Sequence, residues 1–374
     1  MVECMLVTKP FRIKELQFNK GELYMSSPQH RKSVFDAFNL TGQINKTSNK
    51  IDSYCKFFNF DDIFKKTTAK NQTKNIFIVR YGGIGDLIAL SSIIDYFENS
   101  NIHFITDKKY FPIFEWFENK PILYDCTKPI AKNFKLNQDL GNWSKFQGEG
   151  IIETGHSKNW FELFFEFIDE NEPDSEYLRP QLITDRINYN KSNINRKNGK
   201  KSLLICNKAT AMMRTIAVSE IISSLPSHIL QEWDIFVYYN NLSENDISFI
   251  KNCEHFLKIN IISANLKTFL LDCFDADMVI SVDTGALHFR EAIHKPAIGL
   301  YNSFTTDART KYYQYTKSFD IKSNCNLQPC FIHERPDLKH CPKGTKESFA
   351  APCFDSKYNL TLHEQLSKIF KENL

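Results

Sequence analysis

The 374-residue sequence has no apolar run approaching the roughly 20 residues that a membrane-spanning helix requires. Its start, MVECMLVTKPFRIKEL, carries a short apolar patch but no apolar run of signal-peptide length, which predicts a cytoplasmic protein without a transmembrane segment. Charge of neither sign is in excess. The 47 Lys and Arg against 44 Asp and Glu leave +3, too little to argue for nucleic acid or a membrane surface as a partner. No CxxC pair occurs among the ten cysteines, and the six scattered ones (Cys4, Cys55, Cys126, Cys206, Cys253 and Cys273) read as reduced, mostly buried thiols. The loop Gly83-Ile84-Gly85-Asp86-Leu87-Ile88 lacks the third glycine of GxGxxG, so a nicotinamide site loses ground.

Apolar residues make up 42% and charged residues 24%, so a packed core is expected rather than disorder, and the length suggests two domains. The 32 phenylalanines, with many Asn, Lys and Ile, look like compositional bias as much as function. Short β-branched runs at 76–80, 103–106, 122–124, 203–206, 235–239, 260–262, 278–282 and 297–300 read as strands. Helical patterns at 86–97, 218–225, 266–273 and 287–293 lie between several of them, and this alternation predicts an α/β protein with parallel sheets. A polar, basic stretch at 186–201 interrupts it and reads as a solvated linker. It separates an α/β unit at 71–185 from a second at 202–320, two doubly wound units facing a cleft. Residues 1–70 are read as a small appended region, expected to be β-rich. Residues 321–357 hold a cysteine cluster, and an amphipathic helix is expected within 358–374.

Two segments carry chemistry. In the first, the strand at 76–80 runs into Gly82, Gly83, Gly85 and Asp86, where a helix opens. Glycine allows a tight turn and close approach to a ligand, and a helix N-terminus stabilises the negative charge of Asp86. Such a carboxylate can take a proton from an attacking hydroxyl; equally, it can simply cap the helix. In the second, Ser281-Val282-Asp283-Thr284-Gly285 ends a strand and opens a helix. Its backbone N–H groups and the Thr284 hydroxyl would suit a diphosphate. His288 follows one turn later, facing the same ligand or filling a structural place in the helix.

These two motifs resemble those of the ADP-heptose:lipopolysaccharide heptosyltransferase family, inverting glycosyltransferases of the GT-B fold. The match is carried by Gly82, Gly83, Gly85 and Asp86, then by Asp283, Thr284, Gly285, His288, Lys295 and Pro296, over about residues 74–310. The resemblance implies that Asp86 is the base, and that the second domain binds the nucleotide diphosphate of an ADP-sugar donor. A basic residue after that domain's first strand would contact the phosphates; Lys208 and Arg214 are the candidates, with Arg214 the better spaced. His156 and Lys158, in a polar and aromatic stretch at 153–160, are candidate acceptor contacts or members of a solvated loop.

Cys325, Cys330, Cys341 and Cys353 place four thiols within 29 residues, three of them beside Pro329, Pro342 or Pro352. Such a set suggests a structural tetrahedral Fe or Zn site on a loop knuckle, with four unligated thiols as the alternative. The cluster and the N-terminal extension are similar to features of the bacterial autotransporter heptosyltransferases, although the cysteine spacing differs. No redox cofactor is expected.

The leading expectation is therefore inverting transfer of heptose or a related sugar to a hydroxyl of a glycan, lipid-linked or protein acceptor. A sugar-nucleotide epimerase or hydrolase and a non-catalytic nucleotide-sugar binding protein are the alternatives from other classes. A homo-oligomer is compatible with all three.

Overall fold

The computed structural model describes residues 3–7, 11–13, 16–18, 23–26, 55–59, 74–80, 82–128, 143–147, 158–167, 173–185, 192–195, 199–209, 214–253, 257–302, 304–321 and 359–372. They belong to two compact units. The first comprises Met1–Gly82, Ile94–Glu115 and Asn119–Ile152; the second comprises Gly83–Ile93, Trp116–Glu118 and Glu153–Leu374.

The first unit holds short antiparallel strands β1 (Glu3–Val7), β2 (Phe11–Ile13), β3 (Leu16–Phe18), β4 (Leu23–Ser26) and β5 (Cys55–Asn59). They are arranged as a β4-β1-β5 sheet and a β2-β3 pair. It also holds a parallel four-stranded sheet in the order β8-β7-β6-β9, built from β6 (Asn75–Val79), β7 (Asn101–Thr106), β8 (Ile122–Asp125) and β9 (Trp143–Gln147). The central strand β6 is an uninterrupted apolar run, buried from Ile76 to Val79, as a parallel strand covered on both faces should be. Strand β9 was not foreseen.

The second unit is built on a six-stranded parallel sheet of β10 (Lys201–Cys206), β11 (Trp233–Tyr238), β12 (Ile259–Ile262), β13 (Met278–Val282), β14 (Ala297–Tyr301) and β15 (Thr316–Asp320). Its order, β12-β11-β10-β13-β14-β15, is the doubly wound order 3-2-1-4-5-6. Strands β11, β13 and β14 are buried throughout and β10 is buried after Lys201, whereas the edge strands β12 and β15 are only partly covered. The partly polar edge strand Thr316–Asp320 lacks a continuous apolar run, which is why it escaped the strand reading.

The helices are α1 (Ile84–Ala89), α2 (Ser91–Tyr96), α3 (Trp160–Phe167), α4 (Val218–Ser223), α5 (Ser227–Glu232), α6 (Glu244–Cys253), α7 (Leu266–Asp275), α8 (Gly285–Ala292), α9 (Thr306–Thr310) and α10 (Asn359–Glu372). The single helix expected at 86–97 is broken at Leu90. Ser91 and Ser92 follow the break; the Ser92 hydroxyl bonds back to the Ala89 carbonyl and the Ser91 hydroxyl accepts from the Gln181 N–H. Helix α10 buries Leu362, Leu366, Ile369 and Phe370 in the core around the sheet, where Phe370 meets Trp233 edge-on. The expected linker is not purely solvated. Ser192 and Asn193 donate to the buried carboxylate of Asp272, which also accepts from the Tyr238 hydroxyl.

One buried charge organises the second unit. Arg290 of α8 is fully buried, and its guanidinium donates to the carbonyls of Cys273, Ala276, Asp277 and Pro296. These close the end of α7 and the approaches to β13 and β14. Beside it, Lys295 donates to the Phe274 carbonyl at 2.6 Å and lies 3.5 Å from the centre of that ring. We expect Arg290→Met to leave these buried carbonyls unsatisfied and to lower the unfolding free energy by about 3 kcal/mol or more, measured by urea denaturation.

Candidate functional site

The site is assembled within the second unit, from residues that follow β10, β13 and β14 together with the start of α1. Strands β10 and β13 are neighbours where the strand order reverses, with Cys206 opposite Ser281. In a doubly wound sheet, ligands bind beyond the carboxyl ends of strands at such a point.

Helices α1 and α8 meet at their first turns through two glycines. A Cβ on Gly85 would stand 2.4 Å from His288 Cδ2, and a Cβ on Gly285 would stand 2.7 Å from Ile84 Cγ2 and 3.0 Å from the Gly85 nitrogen. No other residue fits either position without displacement. Gly83 has φ 85°, in the left-handed region, and a Cβ there would fall 2.0 Å from Asp86 Oδ2. The half-buried Asp86 carboxylate therefore folds back over the residue that precedes α1.

Asp283, which follows β13, is 4% exposed, and its Oδ2 accepts from Arg214 Nη1 at 3.0 Å; the same Nη1 donates to the Asp283 carbonyl at 3.2 Å. Burial alone would raise the Asp283 carboxyl's pKa, but Arg214, Arg309 and His288 together hold it below the ordinary value. His288 Nε2 lies 3.9 Å from Asp283 Oδ1, its Nδ1 is 2.7 Å from the Tyr313 hydroxyl, and its ring packs on Trp160 at 4.7 Å. Burial pushes its pKa down to about 4, against the upward pull of the negative charges on Asp283 and Asp86. The imidazole is thus neutral near pH 7.

The structure separates the expected contacts. Asp86, Gly85, Asp283, Gly285, His288 and Arg214 come together, with Gly83 shaping the loop. Thr284 also has a local role. Its hydroxyl caps α8 by accepting from the Ala286 N–H and pairs with the Ser281 hydroxyl, so it faces the turn. Lys208 is exposed and donates to the Asn240 carbonyl. Lys158 is exposed and pairs with Glu166, while His156 lies outside the described residues. Cys325, Cys330, Cys341 and Cys353 also lie outside them; among the described residues, no group of three or more His, Cys, Asp or Glu could hold a metal ion.

Sequence reasoning missed Arg309, Trp160, Tyr301 and Tyr313. Arg309 sits in a five-residue helix amid polar residues, and nothing in its sequence surroundings marks it. Trp160 closed the stretch read as acceptor-facing, yet it is 1% exposed and packs against His288. Arg214 Nε, Arg309 Nη1, Trp160 Nε1 and the Tyr301 hydroxyl are buried without a hydrogen-bond partner among the described residues. Three of these are donor-only groups, so what is missing is an acceptor.

No protein-family model matches the sequence, and comparison with curated proteins finds no match. Solved structures share the fold. A glycosyltransferase of family 9 from Veillonella parvula aligns at TM-score 0.51 and 11% identity, over 80% of this chain and 99% of its own. The iron-containing dodecameric glycosyltransferase TibC from enterotoxigenic E. coli H10407 aligns at TM-score 0.51 and 8% identity, over 99% of this chain and 90% of its own. The TibC complex with ADP-D-beta-D-heptose gives TM-score 0.52 at 9% identity, with the same coverage of both chains. The mixed α/β fold with parallel sheets is thus one that glycosyltransferases use. No described helix is long and apolar enough to cross a membrane.

Because the folded-state value of His288, about 4, lies below its ordinary 6.5, the unfolded chain takes up this proton first. The stability involved is present in full above about pH 6.5 and is lost as pH falls towards 4. We expect urea denaturation between pH 7 and pH 4.5 to show a loss on the order of a few kcal/mol, smaller in His288→Asn. Gly285→Ala should cost about 1–3 kcal/mol in the same assay, because its Cβ must displace Ile84 and the start of α1.

Proposed function

We propose that the chain is an inverting glycosyltransferase that moves heptose or a related sugar from an ADP-sugar donor to a hydroxyl of a glycan, lipid-linked or protein acceptor. The observation that carries this reading is the contact between α1 and α8 through Gly85 and Gly285, which brings Asp86 beside the Asp283-Arg214-His288 cluster. A carboxylate and several buried N–H donors without an acceptor among the described residues lie in the same cluster. The fold shared with TibC, solved with ADP-D-beta-D-heptose, supports the same reading.

In the reaction, the acceptor oxygen attacks the anomeric carbon from the face opposite the diphosphate. Its proton passes to the Asp86 carboxylate. The bond from the anomeric carbon to the phosphate oxygen breaks, and its electron pair leaves on the nucleoside diphosphate. That charge is met by the N-terminus of α8 and by Arg214. Neutral His288 supports the cluster without adding a competing cation, and Asp283 holds Arg214 in place.

On this reading, residues 202–320 form the nucleotide-sugar domain and residues 71–185 the acceptor side, where His156 and Lys158 would lie. The four thiols of Cys325, Cys330, Cys341 and Cys353 are a donor set suited to a structural Fe or Zn ion, outside the transfer chemistry. We expect Asp86→Asn to lower transfer from ADP-heptose by about 10²- to 10⁴-fold, followed as sugar incorporation by mass spectrometry of a lysate incubated with the enzyme. Undiminished incorporation by the variant would remove Asp86 as the base.

A further inference from the structure

Among the described residues of the second unit, two arginines are almost completely buried, and they are buried differently. Arg290 has its guanidinium occupied by four backbone carbonyls, as a structural cation should. Arg309 is 4% exposed, yet its Nη1 has no hydrogen-bond partner among the described residues. A permanent cation taken out of water is costly unless its protons are met.

What holds Arg309 is packing and charge at a distance. Its guanidinium lies 4.1 Å from the ring centre of Phe304 and 4.9 Å from that of Trp160. Aromatic faces fix the guanidinium plane and leave its N–H edge to hydrogen-bond. The segment bearing it is anchored as well: Thr305 caps α9, and Asn159, beside Trp160, donates to the Asp307 carbonyl at 2.9 Å. The anions that act on Arg309 are Asp283 and Asp86, but no ion pair joins it to either among the described residues. It packs against the same Trp160 ring as His288 of the donor cluster, and its Nη1 lacks an acceptor among the described residues.

We propose that Arg309 is the second cation of the donor site, binding the diphosphate and receiving its charge as the sugar departs, a role that rests on the donor reading above. Arg214 is committed in part to Asp283, whereas Arg309 keeps an N–H group for the phosphate oxygens. The two guanidiniums make the site specific for a diphosphate rather than for an uncharged nucleoside.

The test is calorimetric titration of ADP and of adenosine into the full-length wild type, Arg309→Gln and Arg309→Lys. Arg309→Gln should weaken ADP binding about 10- to 100-fold while leaving adenosine within about twofold, with Arg309→Lys between wild type and Arg309→Gln for ADP. Wild-type ADP affinity in both variants, or an equal loss for ADP and adenosine, would overturn the role of Arg309 and leave the donor reading standing. Failure of wild type to bind ADP would overturn the donor reading, and this inference with it. If Arg309→Gln does not fold, the ratio of ADP to adenosine affinity in Arg309→Lys decides by the same criterion.

Discussion

The contact on which the site depends is made through two glycines, with His288 lying over Gly85 and Ile84 over Gly285. Gly85 and Gly285 let the first turns of α1 and α8 approach more closely than any residue with a Cβ would allow. Everything chemical in the second unit is referred to that contact. His288 packs over Gly85, Asp283 immediately precedes the cap of α8, and Asp86 lies one residue beyond Gly85. A methyl group at either glycine would push these groups apart by a distance that matters on the scale of a hydrogen bond.

Around this contact the protein concentrates charge without neutralising it by direct pairing alone. Asp283 is paired with Arg214, but among the described residues Arg309 meets Asp283 and Asp86 through space without a direct pair. His288 is kept uncharged by burial, so no third cation competes for the carboxylates. The tyrosines follow the same logic: burial holds Tyr301 and Tyr313 well above the ordinary phenol range, as neutral hydroxyls. The buried N–H groups of Arg214, Arg309 and Trp160 without an acceptor among the described residues are a poor arrangement for stability and a good one for an anion. Elsewhere in the same unit, Arg290 shows how the chain treats a cation whose purpose is structural.

Much of the scaffold was legible because parallel strands buried on both faces must be continuous apolar runs. Those at Ile76–Val79, Leu203–Cys206 and Met278–Val282 stand out against a polar background. The edge strands Trp143–Gln147 and Thr316–Asp320 and the broken helix were harder, since Thr316–Asp320 has a single apolar residue and a Ser-Ser pair disrupts a helical pattern without proline or glycine. In the candidate site, Asp86, Asp283 and His288 could be found because each adjoins a glycine-bearing turn between strand and helix. Arg309 and Trp160 could not. Their importance arises from stacking across about 150 residues of sequence, which no local pattern encodes. That the Thr284 hydroxyl caps α8 could not be read from the sequence, because a hydroxyl at a helix start suits a ligand or a cap alike.

The central claim is that α8 begins at a diphosphate site with Asp86 alongside. A crystal structure of the full-length protein with ADP tests it most directly. We expect the diphosphate at the N-terminus of α8, within hydrogen-bond distance of Arg214 and of the backbone at Gly285, with Asp86 facing the side from which an acceptor would attack. A diphosphate bound away from the Asp283–Gly285 turn, or a turn closed to the nucleotide, would contradict it.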